Sequence, residues 1–345
     1  MRFEEIIGLI RDGLTGDAEH DLSYLKEQME KYREHESARE ILRECGRMMY
    51  EFLPGTAKEE VISAMEKDDA GMEEQLERFE FLMYRKDFDA AREVIEPLVR
   101  KMDMLTSAGV FQDDNASEYY CFNELFEEIM HHERTQSEKT FRRSPIPFAK
   151  IYSYYGALLI DLKRYEEAEE TLEKALRWNP SSADYLFELA ETWKLRGDMD
   201  RFLKLTIRAF DNSFKPTMVA RCFRNLGYYF TEMKYWDMAV ACIVLSFEFV
   251  PADKNGQSEL YYIERMAGRH VEMPEFDEFR KVADQYGFPT GPCEELIQLA
   301  GNYANYYLFH EKRDIAAYFL CIYYGLTEDE KVRETIEKIE AEKQQ

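Results

Sequence analysis

Apolar residues recur along this chain at the three-and-four spacing of an amphipathic helix, most regularly between Ala149 and Pro251. Counted from Ala149, residues Tyr152, Tyr155, Gly156 and Leu159 fall at positions 4, 7, 8 and 11. Ala168, Leu172, Ala175 and Pro180 fall at positions 20, 24, 27 and 32. The first set makes one face of a helix and the second makes one face of another. Small residues at positions 8 and 20 let the two helices approach closely, and a proline at 32 cannot continue the second one. The spacing predicts an antiparallel helix pair over 149–182.

The same skeleton returns 71 residues later, where Phe223, Leu226, Gly227, Phe230, Ala239, Ile243 and Pro251 take the corresponding places in a unit counted from Ala220. Between the two lies a unit from Ala183, with Leu186, Leu189, Ala190 and Trp193, the turn RGDMD, then Thr206 and Ala209. Its position 20 is Phe202, too large for close approach, which predicts a splayed or shifted pair. Three inserted residues, Thr217–Val219, complete the offset.

Fainter echoes flank this block. Phe88 and Ala91 stand at positions 17 and 20 of a unit whose charged first helix reaches back to about Lys58. Ala300, Tyr303, Ala304, Tyr307, Ala316 and Leu320 repeat the spacing around the turn HEKRD. Residues 1–53 read as two or three amphipathic helices ending at Leu53-Pro54-Gly55. Breaks are expected at Ser107–Asn115, Arg134–Pro147, Val250–Gly256 and Gly287–Pro292.

These positions resemble the tetratricopeptide repeat, whose W-x2-L-G-x2-Y, A-x3-F and P signature spans about 34 residues. The resemblance implies an all-α fold, an α-solenoid of antiparallel helix pairs with flanking capping helices. Three units (149–182, 183–216, 220–253) are expected within a block 149–258. An N-terminal helical region 1–112 ends in a degenerate pair, and 113–148 holds a connecting helix and a basic linker. Residues 259–345 carry C-terminal helices with another degenerate pair and a cap. The stretches FNELFEEI, ALRWNP, ARCFRNLGYYF and QSELYYI look like those of a bacterial tetratricopeptide family, which implies a cytoplasmic protein and carries over no catalytic residue.

Charge narrows the partners. With 69 acidic and 45 basic residues the formal net charge is −24, so nucleic acid and anionic membrane surfaces meet a repulsive field. The six cysteines are scattered without a C-x-x-C, so neither a disulfide framework nor a zinc ribbon is expected. The start, MRFEEIIGLI, has acids where a secretion signal needs positive charge, and the longest apolar run, Met238–Leu245, falls short of the roughly 20 residues of a membrane span. The pair HHER at 131–134 lacks the spacing that puts two imidazoles on one helical face and reads as a helix end. No phosphate-cradling glycine motif and no G-x-S-x-G elbow occurs. No catalytic residue, metal or cofactor is expected, and the protein reads as non-enzymatic.

The resemblance also supplies a groove. In such repeats the first helices line the concave side, with positions 2, 5, 6, 9, 12 and 13 turned into it. The third unit then offers Arg221, Arg224, Asn225 and Tyr228, and the first offers Lys150 and Tyr154. Two arginines and an aromatic suit the carboxylate and apolar side chain of a peptide. The competing reading pairs Arg221 and Arg224 with Glu188 and Glu191 of the neighbouring helix. The clamp that holds chaperone C-termini is absent, because its lysine and asparagine positions are Ser153 and Ala157 here. The basic stretch RTQSEKTFRRSPIPFAK is either an ordinary linker or a segment draped at the groove entrance. The expected function is a scaffold for a protein or peptide with an acidic or C-terminal carboxylate segment. A peptide-sensing regulator is the second reading and a metal-dependent enzyme a remote third.

Overall fold

The computed structural model describes residues 3–33, 35, 38, 41, 44–45, 48–49, 71–107, 109, 111, 113, 115 and 117–343. The expected boundary at Leu53-Pro54-Gly55 and residues 58–70 of the expected charged helix lie outside these residues. Helices α1 (Phe3–Asp12) and α2 (Ala18–Lys31) come first. They share a core of Ile6, Ile10 and Leu25 with Ile41 and Cys45. The turn between them is fixed by Asp21, which is fully buried and accepts the backbone N–H groups of Thr15 (2.9 Å) and Gly16 (2.7 Å).

Then follow α3 (residues 71–84), α4 (Phe88–Ser107), strand β1 (Ser117–Tyr120), α5 (Leu125–Thr135), strand β2 (Thr140–Arg143) and α6 (Phe148–Asp161). After these come α7 (Tyr165–Trp178), α8 (Ala183–Arg196), α9 (Met199–Phe210), α10 (Pro216–Glu232), α11 (Trp236–Phe249) and α12 (Lys254–Ala267). The last are α13 (Phe276–Tyr286), α14 (Glu294–Phe309), α15 (Arg313–Thr327) and α16 (Glu330–Lys343). The architecture is a solenoid of antiparallel helix pairs.

One device makes the hairpins. Lys86, Lys163, Gly197, Lys234 and Glu311 all have left-handed backbone, with φ of 58, 58, 80, 62 and 58°. The next amide in each case reaches back to a carbonyl five residues earlier, as in Arg164 N to Leu159 O (2.8 Å) and Tyr235 N to Phe230 O (2.9 Å). This is the Schellman ending, which satisfies orphan carbonyls and reverses the chain. In the units counted from 149, 183 and 220 it falls at position 15. Lys86 and Glu311 hold that place in units counted from 72 and 297, so the two flanking echoes are true helix hairpins.

The chain forms two compact units, 1–121 with 137–164, and 122–136 with 165–345. In the first, the Tyr152 hydroxyl on α6 donates to Asp103 on α4 (2.9 Å). Its strands correct the expectation of plain linkers and no sheet. β1 and β2 pair in parallel, with Ser117 opposite Thr140 and Tyr120 opposite Arg143. Both segments hold residues that suit extended backbone, and Tyr120 and Phe141 pack ring to ring at 5.2 Å. A parallel pair needs a long crossover, and residues 121–139 provide it.

In the second unit, α10 and α11 meet where the pattern demands. A Cβ on Gly227 would lie 2.5 Å from the end of Ile243 and 3.3 Å from the Ala239 carbonyl oxygen. Phe202, at position 20 of the middle unit, is fully buried and meets the edge of the Tyr228 ring at 5.9 Å. Helix α12 begins 34 residues after the third unit does and ends on left-handed Gly268, again position 15. It is a fourth first helix that has kept the phase and lost the signature, since position 8 is Tyr261, 71% exposed. No second helix follows at once. Residues 269–275 are non-helical, and a cleft of about 420 Å³ remains between Val240 and Val244 of α11, Leu260 of α12, and Val271 and Met273.

Helix α5 packs on the ends of the repeats. Phe126 is fully buried against Phe214 (5.1 Å) and Phe319 (6.1 Å). Glu127, also buried, accepts the backbone N–H groups of Asn123 (2.8 Å) and Glu124 (3.1 Å) and the Asn179 amide (2.8 Å). Arg134 donates to Glu295 (3.0 Å), Asn212 (2.7 Å) and the Asp211 carbonyl (2.6 Å). The helix therefore ties the loops after α7 and α9 to α14 and α15.

Candidate functional site

Within the second unit, α8, α10 and α12 present neighbouring faces. On α10 the apolar side holds Phe223, Leu226 and Phe230, all fully buried. A helix that spends one face on the core leaves Arg221, Arg224, Asn225 and Tyr228 together on the other. All four are half-buried.

Arg221 donates to Glu188 of α8 at 3.0 Å and lies over the Phe187 ring at 4.6 Å. Its guanidinium is one-third exposed, 34%. Arg224 takes a different partner from the one expected. It donates to Asp253 at 2.6 Å, not to Glu191, and the pair is only 14% and 13% exposed. The reason is local. Asp253 is the cap of α12 and accepts the Asn255 N–H with one oxygen, leaving the other aimed at Arg224. Glu191 instead pairs with Lys194 one turn along α8. Asn225 donates to Thr206 (3.4 Å), and Lys194 stands 4.9 Å from the Tyr228 ring centre. Burial raises the Tyr228 hydroxyl above its usual pKa, and Glu232, Tyr262 and Glu191 add to that.

Glu259 of α12 completes the face. Burial lifts its carboxyl to about pH 7, with Asp253 and Glu191 adding to the rise while Arg224 and Lys194 oppose it. One of its oxygens is buried without a hydrogen-bond partner. Sequence reasoning missed Glu259 and Tyr262 because the repeat signature stops at Pro251. Counting on by 34 from Ala220 would have placed them at positions 6 and 9 of a fourth unit, both groove positions.

Lys150 and Tyr154 belong to the first unit and form a separate group. Both bind Glu80 of α3, Lys150 at 3.5 Å and Tyr154 through a short hydroxyl bond. Phe79 stacks on Tyr154 at 5.3 Å, and the Lys150 ammonium is 5.2 Å from the same ring centre. Burial raises the Tyr154 hydroxyl pKa, and Glu80 raises it further. In the basic stretch, Lys139 pairs with Glu118 (3.4 Å) and Arg142 donates to Ser117 (2.9 Å).

The matching hairpin geometry has a sequence counterpart, because the family model described as tetratricopeptide repeat matches residues 149–182. Those residues carry the sequence pattern of a tetratricopeptide repeat. No curated protein matches the chain. Among solved structures, tetratricopeptide proteins align at low identity. The structure titled as a functional characterization of Pseudomonas aeruginosa pilF aligns at 14% identity over 79% of this chain and 98% of its own, with a TM-score of 0.39. YrrB, titled a TPR protein with an unusual peptide-binding site, aligns at 16% identity over 62% and 98%, with a TM-score of 0.29. The P58(IPK) TPR domain aligns at 13% identity over 98% and 97%, with a TM-score of 0.27.

Among the described residues, no group of three or more His, Cys, Asp or Glu side chains is arranged to hold a metal ion, and no helix is long and apolar enough to cross a membrane. The face formed by α8, α10 and α12 can do two things chemically. It can exchange an internal carboxylate for an external one at Arg221, and it can pack apolar groups against Phe187 and Tyr228.

Proposed function

We propose that the protein is a non-enzymatic scaffold that holds a protein or peptide segment on the faces of its first helices. A cytoplasmic setting accords with six cysteines that stand as unbridged thiols. The observation that carries the reading is Arg221. Its pair with Glu188 is about one-third exposed on both sides, so an incoming carboxylate can replace Glu188 without a large desolvation cost. The segment it favours is therefore acidic, or ends in its own carboxylate. Lys150 and Tyr154 would serve the same purpose on the first unit by exchange at Glu80. Arg224, paired and nearly enclosed, is the structural member.

The test is capture from a lysate of the source organism with the full chain as bait. Arg221→Glu should lose the partner and keep the helical circular dichroism and melting temperature of the wild type. Retention of every wild-type partner would make Arg221 a purely structural residue. Sensing draws support from one feature. Arg221 ties α10 to α8, so a ligand that takes Glu188's place also releases a link between successive repeats.

A further inference from the structure

The charges of the α8–α10–α12 face leave one member over. Lys194 faces Glu191, Arg221 faces Glu188, and Arg224 faces Asp253, so each cation already has its carboxylate. Glu259 has none, and one of its oxygens is buried with no donor. A buried acceptor without a donor costs free energy that an arriving donor recovers. The groups around it come from every neighbouring element. They are Glu191 and Lys194 of α8, Arg224 of α10, and Asp253 at the start of α12. Together with Glu259 they carry three negative charges against two positive. The surplus is one negative charge, located where a hydrogen-bond donor is missing. Tyr262 stands one turn further along α12, near enough to Tyr228 of α10 for their hydroxyls to interact, and an aromatic face adds attraction for a cation.

We infer that Glu259 anchors a basic side chain, lysine or arginine, of the segment held on this face. The segment thus presents a cation to Glu259 as well as a carboxylate to Arg221. This rests on the scaffold reading and adds a second recognition element to it. A basic residue supplies what the site lacks, because its N–H groups donate and its charge cancels the surplus. An arginine or lysine also cannot be replaced here by Arg224, which Asp253 holds. Only ionised Glu259 attracts the cation, so binding is linked to loss of its proton and tightens as pH rises through about 7.

The experiment uses the full chain and three pools of fluorescein-labelled 12-residue peptides built on a Ser/Tyr background. One pool carries glutamates, one lysines, and one both. Anisotropy titrations at pH 8 should show the mixed pool binding about 5-fold or more tighter than the glutamate pool. Glu259→Gln should erase that gain, so that the mixed pool binds the variant no tighter than the glutamate pool does. The gain should also shrink at pH 6. A mixed pool no tighter than the glutamate pool, or a gain that survives Glu259→Gln, overturns the assignment while the Arg221 reading stands. If neither glutamate-bearing pool binds the wild type, the scaffold reading fails and this inference with it. Glu259→Gln is nearly isosteric and removes a buried charge, so loss of fold is not a competing explanation, and its melting temperature provides the check.

Discussion

Single residues in this protein carry measurable strain. Lys234 is left-handed at φ 62° because the Schellman turn requires it, while the equivalent place in the middle repeat is Gly197. A side chain in that conformation costs free energy that glycine avoids. Lys234→Gly should raise stability by about 0.5–1 kcal/mol, read as a shift in the urea midpoint. Glu259 is strained electrostatically. Its carboxyl titrates near 7 when folded against 4.5 for an unperturbed glutamate, so the folded state holds its proton more tightly than the unfolded one. Stability from this group is complete below about pH 4.5 and declines as pH rises to about 7. Glu259→Gln should therefore stabilise the protein by about 1–3 kcal/mol at pH 8 and by little at pH 4.5, and equal effects at both values would place the carboxylate in water. Reading such residues from sequence succeeds only in part. The pairing of Arg221 with Glu188 was legible because both occupy groove positions of adjacent units. The pairing of Arg224 was not, because its partner is a helix cap outside the repeat pattern.

Among elements, the hairpin α10–α11 was legible because close approach of helices imposes small residues at fixed spacing, here Gly227 and Ala239. Gly227 shows the constraint at work. Gly227→Leu would drive a side chain into Ile243 and the Ala239 carbonyl, costing roughly 1–3 kcal/mol, and an unchanged melting temperature would mean the helices are not in contact there. Helix α12 was expected only as one of the C-terminal helices, and its place as a fourth first helix went unread although its phase is intact. Its second helix does not follow, so positions 7 and 11 face the cleft under Val271 and no longer need a matching partner. The β1–β2 pair was missed for another reason. Each strand is four residues long, too short for alternation to register, and they meet only after a crossover.

For the molecule as a whole, the docking of α5 was the feature least visible in sequence. Phe126 reaches the Tyr318 hydroxyl across 192 residues, and periodicity has no term for such a distance. Phe126→Ala should cost about 3–5 kcal/mol and loosen α14 and α15 together with α5, which hydrogen exchange would report as common loss of protection in all three. A stack of repeats linked only to nearest neighbours can begin folding anywhere and grow outwards. Here Phe126 needs Phe319 as well as Phe214, and Arg134 needs Glu295. During synthesis α5 leaves the ribosome long before α14 and α15 exist. Its apolar side must wait through the making of nearly two hundred further residues, the interval in which a chaperone would have its opportunity.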